Sequence, residues 1–169
     1  MDLFRGFTLF ECIVVIFILS IISFYAVPSF QNYQALQESK FILEQFQNHL
    51  NFCKNHARLY KTKIMICPSS DQRTCNTNNW NEGYLVYSDS NYNNQLDTNE
   101  LILHNVHLNL KYGTLKWVGL HKKIAFQNDT GLPRGSNGSI EYCSNTTHHK
   151  RLVLSMMGHT RIEKFKKCA

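Results

Sequence analysis

The chain has 169 residues, of which 43% are hydrophobic and 12% aromatic, and a formal net charge of +6. This composition excludes a disordered or low-complexity chain, and the length supports one globular domain with a real core beyond any membrane segment. Residues 1–100 carry seven Lys or Arg against nine Asp or Glu, whereas residues 101–169 carry eleven against three and hold six of the eight histidines. The second part therefore calls for an anionic partner: nucleic acid, lipid headgroups or an acidic protein face.

Near its start the chain carries Gly6-Phe7-Thr8-Leu9-Phe10-Glu11, followed by a charge-free stretch from Cys12 to Gln37. As a helix, Phe7 to Ser29 would extend roughly 34 Å, enough to cross the hydrocarbon core of a bilayer. No polar cleavage region follows the apolar run, and Pro28 leads into more helix-compatible sequence, so the run is expected to stay in the mature protein. An ionised Glu11 at the membrane boundary needs a partner, and a cation from another chain is the natural one. The plainer reading is that Glu11 snorkels to the headgroups.

Beyond Pro28, Ile42, Phe46, Leu50, Cys53 and Ala57 recur at helical spacing, which extends the first helix to about Arg58. Phe46 and Phe52 read as core residues and Cys53 as a buried thiol. Strand-like runs follow at residues 63–67, 83–87, 101–104, 115–118, 123–126, 139–143, 152–156 and 160–165. The expected class is α+β, with a long N-terminal helix packed on sheet.

Five cysteines lie outside the apolar run, so at least one stays free. Cys67 and Cys75 bracket a short loop, Cys143 and Cys168 bracket the last two expected strands, and the pairs are taken that way, in an oxidising compartment. No Cys-x-x-Cys or matching His spacing supports zinc. Asp89, Asn91, Asn93, Gln95, Asp97 and Glu100 occupy positions 1, 3, 5, 7, 9 and 12 of an EF-hand-like loop, which could wrap oxygen atoms around calcium. Asn94 stands where such loops carry glycine, however, and the flanks read as strands. An Asx-rich connection between strands is the simpler reading, and no cofactor or metal is expected.

The C-terminal region holds Lys150-Arg151, then Gly158-His159-Thr160-Arg161, then Lys164, Lys166 and Lys167. In an extended strand His159 and Arg161 would share a face and could grip successive phosphates. Phe165 is the one aromatic near the tail, so contact with double-stranded DNA through phosphates is expected rather than base stacking on a single strand. Lys122, Lys123 and Arg134 are further basic positions, for which a solvated face is the preferred reading. There is no Gly-x-Ser-x-Gly elbow, phosphate-binding glycine loop or His-Glu-x-x-His helix, and no enzymatic activity is expected.

Residues 6–11 resemble the type IV prepilin processing site. The resemblance implies a leader at residues 1–6 cut by prepilin peptidase between Gly6 and Phe7, methylation of the new Phe7 amine, and pairing of Glu11 with the N-terminal amine of a neighbouring subunit. It divides the rest into a transmembrane, fibre-core helix at 7–29 and a periplasmic pilin-like domain at 30–169. Cys67-Pro68-Ser69-Ser70-Asp71, Cys75, Trp80, Glu82-Gly83-Tyr84, Asp89 to Asn93 and Glu100 to Leu103 resemble the GspH/FimT branch of minor pilins and pseudopilins, more like FimT. That likeness implies a type IV pilin-like fold, with the long helix on antiparallel sheet, in a single-pass protein of the bacterial inner membrane that enters a pilus. The implied partners are other minor and major pilins. In FimT-type pseudopilins a Gly-Arg-x-Arg motif takes part in DNA binding during natural transformation, and residues 158–161 resemble it, with Arg161 at the second arginine and His159 in place of the first. The rival readings are a structural minor pilin that primes fibre assembly and a type II secretion pseudopilin of the H type.

Overall fold

A computed structural model describes residues 8–76, 78–145, 148–165 and 168. Its element order is one helix, α1 (Leu9–Tyr60), then eight strands: β1 (Lys63–Pro68), β2 (Gly83–Asp89), β3 (Ile102–His107), β4 (Gly113–Gly119), β5 (Ile124–Phe126), β6 (Gly138–Ser144), β7 (Lys150–Leu154) and β8 (Thr160–Lys164). The chain divides into two units, residues 1–34 and 35–169.

In the first unit the helix starts at a reciprocal cap. The Thr8 N–H and hydroxyl both donate to Glu11 Oε2 at 2.8 Å, and the Glu11 N–H donates back to Thr8 Oγ1 at 3.3 Å. This is the capping box that Thr-x-x-Glu encodes. The helix is long and apolar enough to cross a membrane, and its apolar side chains, from Leu9 to Phe30, are exposed.

In the second unit the helix stripe is buried as the spacing predicts: Ile42, Leu43, Phe46, Leu50, Cys53 and Ala57 are all core residues. The helix stops at Tyr60, two residues past the expected end, where Lys61 takes a left-handed φ of 55° and turns the chain into β1.

The strands form two antiparallel four-stranded sheets, ordered β3-β2-β1-β5 and β4-β6-β7-β8. Inner residues of both, including Ile64, Val86, Trp117, Ile140 and Leu152, join the helix stripe in one core. β1 and β2 are buried on both faces, because Met65, Cys67, Leu85 and Tyr87 pack with Cys75 and Leu96 of the covering loops. The second sheet alternates instead: Leu115, Trp117, Ile140, Tyr142, Leu152 and Leu154 point inward and their neighbours face solvent. Cys67 is bonded to Cys75 and Cys143 to Cys168, while Cys53 is a free buried thiol, pushed up by desolvation.

Candidate functional site: the basic hairpin of the second sheet

β7 and β8 form a hairpin at the edge of the second sheet, in the register Lys150↔Lys164, Arg151↔Glu163, Leu152↔Ile162, Val153↔Arg161 and Leu154↔Thr160. Side chains alternate along each strand, so this register sorts the basic residues onto two faces. Lys150 and Lys164 share the face of buried Leu152 and Leu154, and Arg151 and Arg161 share the outer face with Glu163.

On the outer face Glu163 lies between the arginines. Arg151 reaches Glu163 Oε1 at 2.6 Å through both Nε and Nη2, and Arg161 Nε lies 3.3 Å from Glu163 Oε2. The Arg151 guanidinium also sits 5.9 Å from the Phe165 ring centroid, a cation–π contact that stiffens it. The Arg161 side chain is 74% exposed. The surface beside it is a shallow groove of about 480 Å³ lined by Val118, Asn137, Val153, Met156 and the charged trio.

On the other face Lys150 is held below its ordinary pKa, first by desolvation and then by the charges of Lys164 and Lys40, with Glu44 opposing. The helix also fixes the hairpin turn: Gln47 Nε2 donates to Thr160 Oγ1 at 2.9 Å and Lys54 Nζ to the Gly158 carbonyl at 3.5 Å. Gly158 adopts φ 70°, in the left-handed region, which explains the glycine.

His159 lies one residue before the strand that carries Arg161. β8 begins at Thr160, and His159 closes the hairpin loop just before it: its N–H donates to Ser155 Oγ at 3.1 Å and its carbonyl accepts from Ser155 N–H at 3.0 Å. Gly6, Phe7, Lys166 and Lys167 lie outside the described residues.

The other basic positions have local work. Arg134 pairs with Asp129, holding that carboxyl at about 2 chiefly through the Arg134 hydrogen bond. Lys123 Nζ donates to the Asn94 carbonyl at 2.8 Å, and Lys122 lines a separate cavity of about 510 Å³ with Lys123, Met65, Asn94 and His121.

The Asx-rich segment forms the connection between β2 and β3. Among the described residues, no group of three or more His, Cys, Asp or Glu is placed to hold a metal ion. Sequence reasoning overlooked two polar residues that the fold depends on. One is Glu38, whose carboxylate accepts from the Lys111 and Tyr112 N–H groups at 2.9 and 3.1 Å. The other is Lys63, 3.0 Å from Asp89 Oδ2 in a buried pair. Neither contact has a local motif that would reveal it.

A family model described as type II transport protein GspH matches residues 43–158. The chain belongs to the GspH family. The prokaryotic N-terminal methylation motif matches residues 1–26. Two crystal structures of the Pseudomonas aeruginosa type IV minor pilin FimU are similar. One shares 14% identity over 75% of this chain and 89% of that chain, with a TM-score of 0.52. The other shares 14% over 73% and 91%, with a TM-score of 0.49. The first supports the type IV pilin fold, a long N-terminal helix followed by antiparallel sheets. No curated protein sequence matches the chain. A GspH-family protein with this motif is a pilin-like subunit, and the motif implies processing by prepilin peptidase and interaction with other pilins.

Proposed function

We propose that this GspH-family subunit is a FimT-type minor pilin that binds double-stranded DNA through phosphates at the β7–β8 hairpin and so assists DNA uptake in natural transformation. Its domain faces the periplasm of a bacterial cell. The observation that carries the reading is the exposure of Arg161 on an edge strand, in a hairpin whose other charged residues are Lys150, Arg151, Lys164 and one acid, Glu163. Phosphate contacts of this kind position a duplex without reading its sequence. In the same reading Glu11 pairs with the Phe7 amine of the next subunit, and Lys166 and Lys167 add to the field around the hairpin.

Glu163 favours a second reading. Its carboxylate spends part of the charge of both arginines inside the fold, as expected of a structural minor pilin or a type II secretion pseudopilin of the H type that does not touch nucleic acid. Titration of a labelled duplex with the full chain in non-ionic detergent, across a salt series, separates these readings. Under the DNA reading log K falls with log salt by about 0.9 per phosphate neutralised. Binding also largely disappears in the Arg161→Ala, Lys164→Ala, Lys166→Ala variant. Absence of binding at low salt, or equal binding by the variant, supports the structural reading or a different basic surface.

A further inference from the structure

The β2–β3 connection begins at the last residue of a strand, and that residue is unusual. Asp89 is 0% exposed. Its Oδ2 accepts the Asn94 N–H at 3.1 Å and pairs with Lys63 Nζ at 3.0 Å, whereas its Oδ1 is buried with no hydrogen-bond partner. Buried carboxylate oxygens are almost always given a donor or a cation, because an unpaired one forfeits its hydration for nothing. The Tyr87 hydroxyl, buried and likewise without a partner, lies in the field of Asp89, Glu100 and Asp97.

The residues spaced after Asp89 converge. Asn91 Nδ2 and Asn93 Nδ2 both donate to Asp97 Oδ2, at 2.8 and 2.7 Å, which brings positions 3, 5 and 9 of the loop to one point. The Asn91 and Asn93 Oδ1 atoms accept the Asn93 and Gln95 N–H groups at 3.1 and 2.7 Å, and each of these oxygens keeps a second lone pair for a further partner. Glu100, at position 12, closes the loop by accepting the Ser90 N–H at 2.9 Å and the Asp97 N–H at 3.2 Å. Asn94 takes a φ of 63°, the left-handed turn that glycine supplies at position 6. Lys63 Nζ and Lys123 Nζ hold it there through its Oδ1 and carbonyl at 2.6 and 2.8 Å. The missing glycine is thus no obstacle, and the strand flanks leave the loop's own turn intact.

We propose that residues 89–100 bind one calcium ion, through Asp89 Oδ1, the side-chain oxygens of Asn91, Asn93 and Asp97, the Gln95 carbonyl and the two oxygens of Glu100. The donors are all oxygen, mostly on a flexible loop, and numerous enough for the six to eight ligands that calcium takes, whereas magnesium demands a tighter octahedron. Three carboxylates set against the Lys63 and Lys123 ammoniums leave one negative charge, which favours a cation. Binding draws Asp97 and Glu100 inward off the amides that they now accept from. As the loop stands, amide donors engage Asp97 and Glu100, and no group of three or more His, Cys, Asp or Glu among the described residues is placed to hold a metal ion.

The test uses the full chain in detergent, stripped with a chelator and returned to calcium or magnesium. Equilibrium dialysis with radioactive calcium should find one ion per chain at about 1 mM free calcium, the weak end of the range for extracellular modules. Thermal unfolding should shift upward in calcium by more than in equal magnesium. Glu100→Gln and Asn91→Ala should each weaken uptake by about tenfold, since affinity follows ligand number and charge, while circular dichroism stays that of the parent. Asp89 is left intact because it also pairs with Lys63. No uptake by the parent chain overturns the site, as does undiminished uptake by both folded variants. If one variant fails to fold, the other decides.

Discussion

The Tyr142 hydroxyl donates to Glu38 Oε1 at 2.6 Å, joining the second sheet to the helix across 104 positions of sequence. Glu38 also accepts the Lys111 and Tyr112 N–H groups, so one carboxylate fixes the helix, β6 and the β3–β4 connection. Tyr142 is 0% exposed, and desolvation, then the hydrogen bond and charge of Glu38, hold its phenol above the ordinary value. Glu38→Ala leaves that hydroxyl without its acceptor, at a cost of about 1–3 kcal/mol for a buried donor. Tyr142→Phe removes only the donor, leaving Glu38 its two backbone N–H partners, and should cost about 1 kcal/mol. Denaturant titration of both variants checks the order, and equal losses would show that the two backbone donors dominate.

The two disulfides should contribute unequally. Cys67–Cys75 closes a separation of 8 residues and Cys143–Cys168 one of 25. In the chain-entropy account these correspond to about 2.5 and about 3.5 kcal/mol. The Cys143→Ser, Cys168→Ser pair is therefore expected to lower the melting temperature more than Cys67→Ser, Cys75→Ser. Calorimetry on the two double variants measures the difference directly.

Much of the architecture was legible because it is periodic. The stripe from Ile42 to Ala57 and the alternation of Leu115 with Trp117, Ile140 with Tyr142 and Leu152 with Leu154 announce their elements and their inner faces. β3 runs to His107, past the expected His104, because its Asn and His residues pair along β2 despite their low apolarity. Partition into two sheets was not legible: β5 passes over β4 to join β1, a choice made by tertiary packing. Nor could sequence place Glu163 between Arg151 and Arg161, since that depends on the β7–β8 register. The Thr8–Glu11 capping box is readable from its Thr-x-x-Glu spacing.

Stability should fall on mild acidification, for a reason located at the helix. His49 Nδ1 lies 2.6 Å from Tyr84 Oη, and the His49 and His104 rings are 5.0 Å apart. Phe52 packs between His104 and His56, at 4.5 and 5.3 Å. Desolvation first, and then the charge of His104, depress both His49 and His56 below their ordinary value of 6.5. The unfolded chain therefore binds more protons just below that value. This contribution is complete above about pH 6.5 and is lost as pH falls through the depressed folded values. Urea midpoints should drop from about pH 7.5 to about pH 5.5, and His104→Phe should flatten the slope by removing the repulsion. An unchanged slope in that variant would assign the loss to burial alone. The exposed carboxyl of Asp71, lowered by its bonds to Thr74 and Arg73, acts only below its ordinary 3.8 and does not confuse the window.

The Lys63–Asp89 pair offers the sharpest contrast. Lys63 is 7% exposed and Asp89 is 0% exposed, so the pair has left water and each ion depends on the other. Lys63→Met strands a buried carboxylate and should cost about 3–5 kcal/mol, whereas Lys63→Met with Asp89→Leu, which removes both charges, should recover most of that loss. Calcium gives the single variant a second route. An ion bound at residues 89–100 supplies the positive charge that Lys63 provided, and a ligand that binds only the folded chain stabilises it by mass action. Added calcium should therefore raise the melting temperature of Lys63→Met by more than that of the parent, and leave the double variant, which lacks the position 1 oxygen, where it was. Calorimetry of the three chains with chelator and with calcium reads this directly. An equal calcium response in the double variant would place the ion away from Asp89.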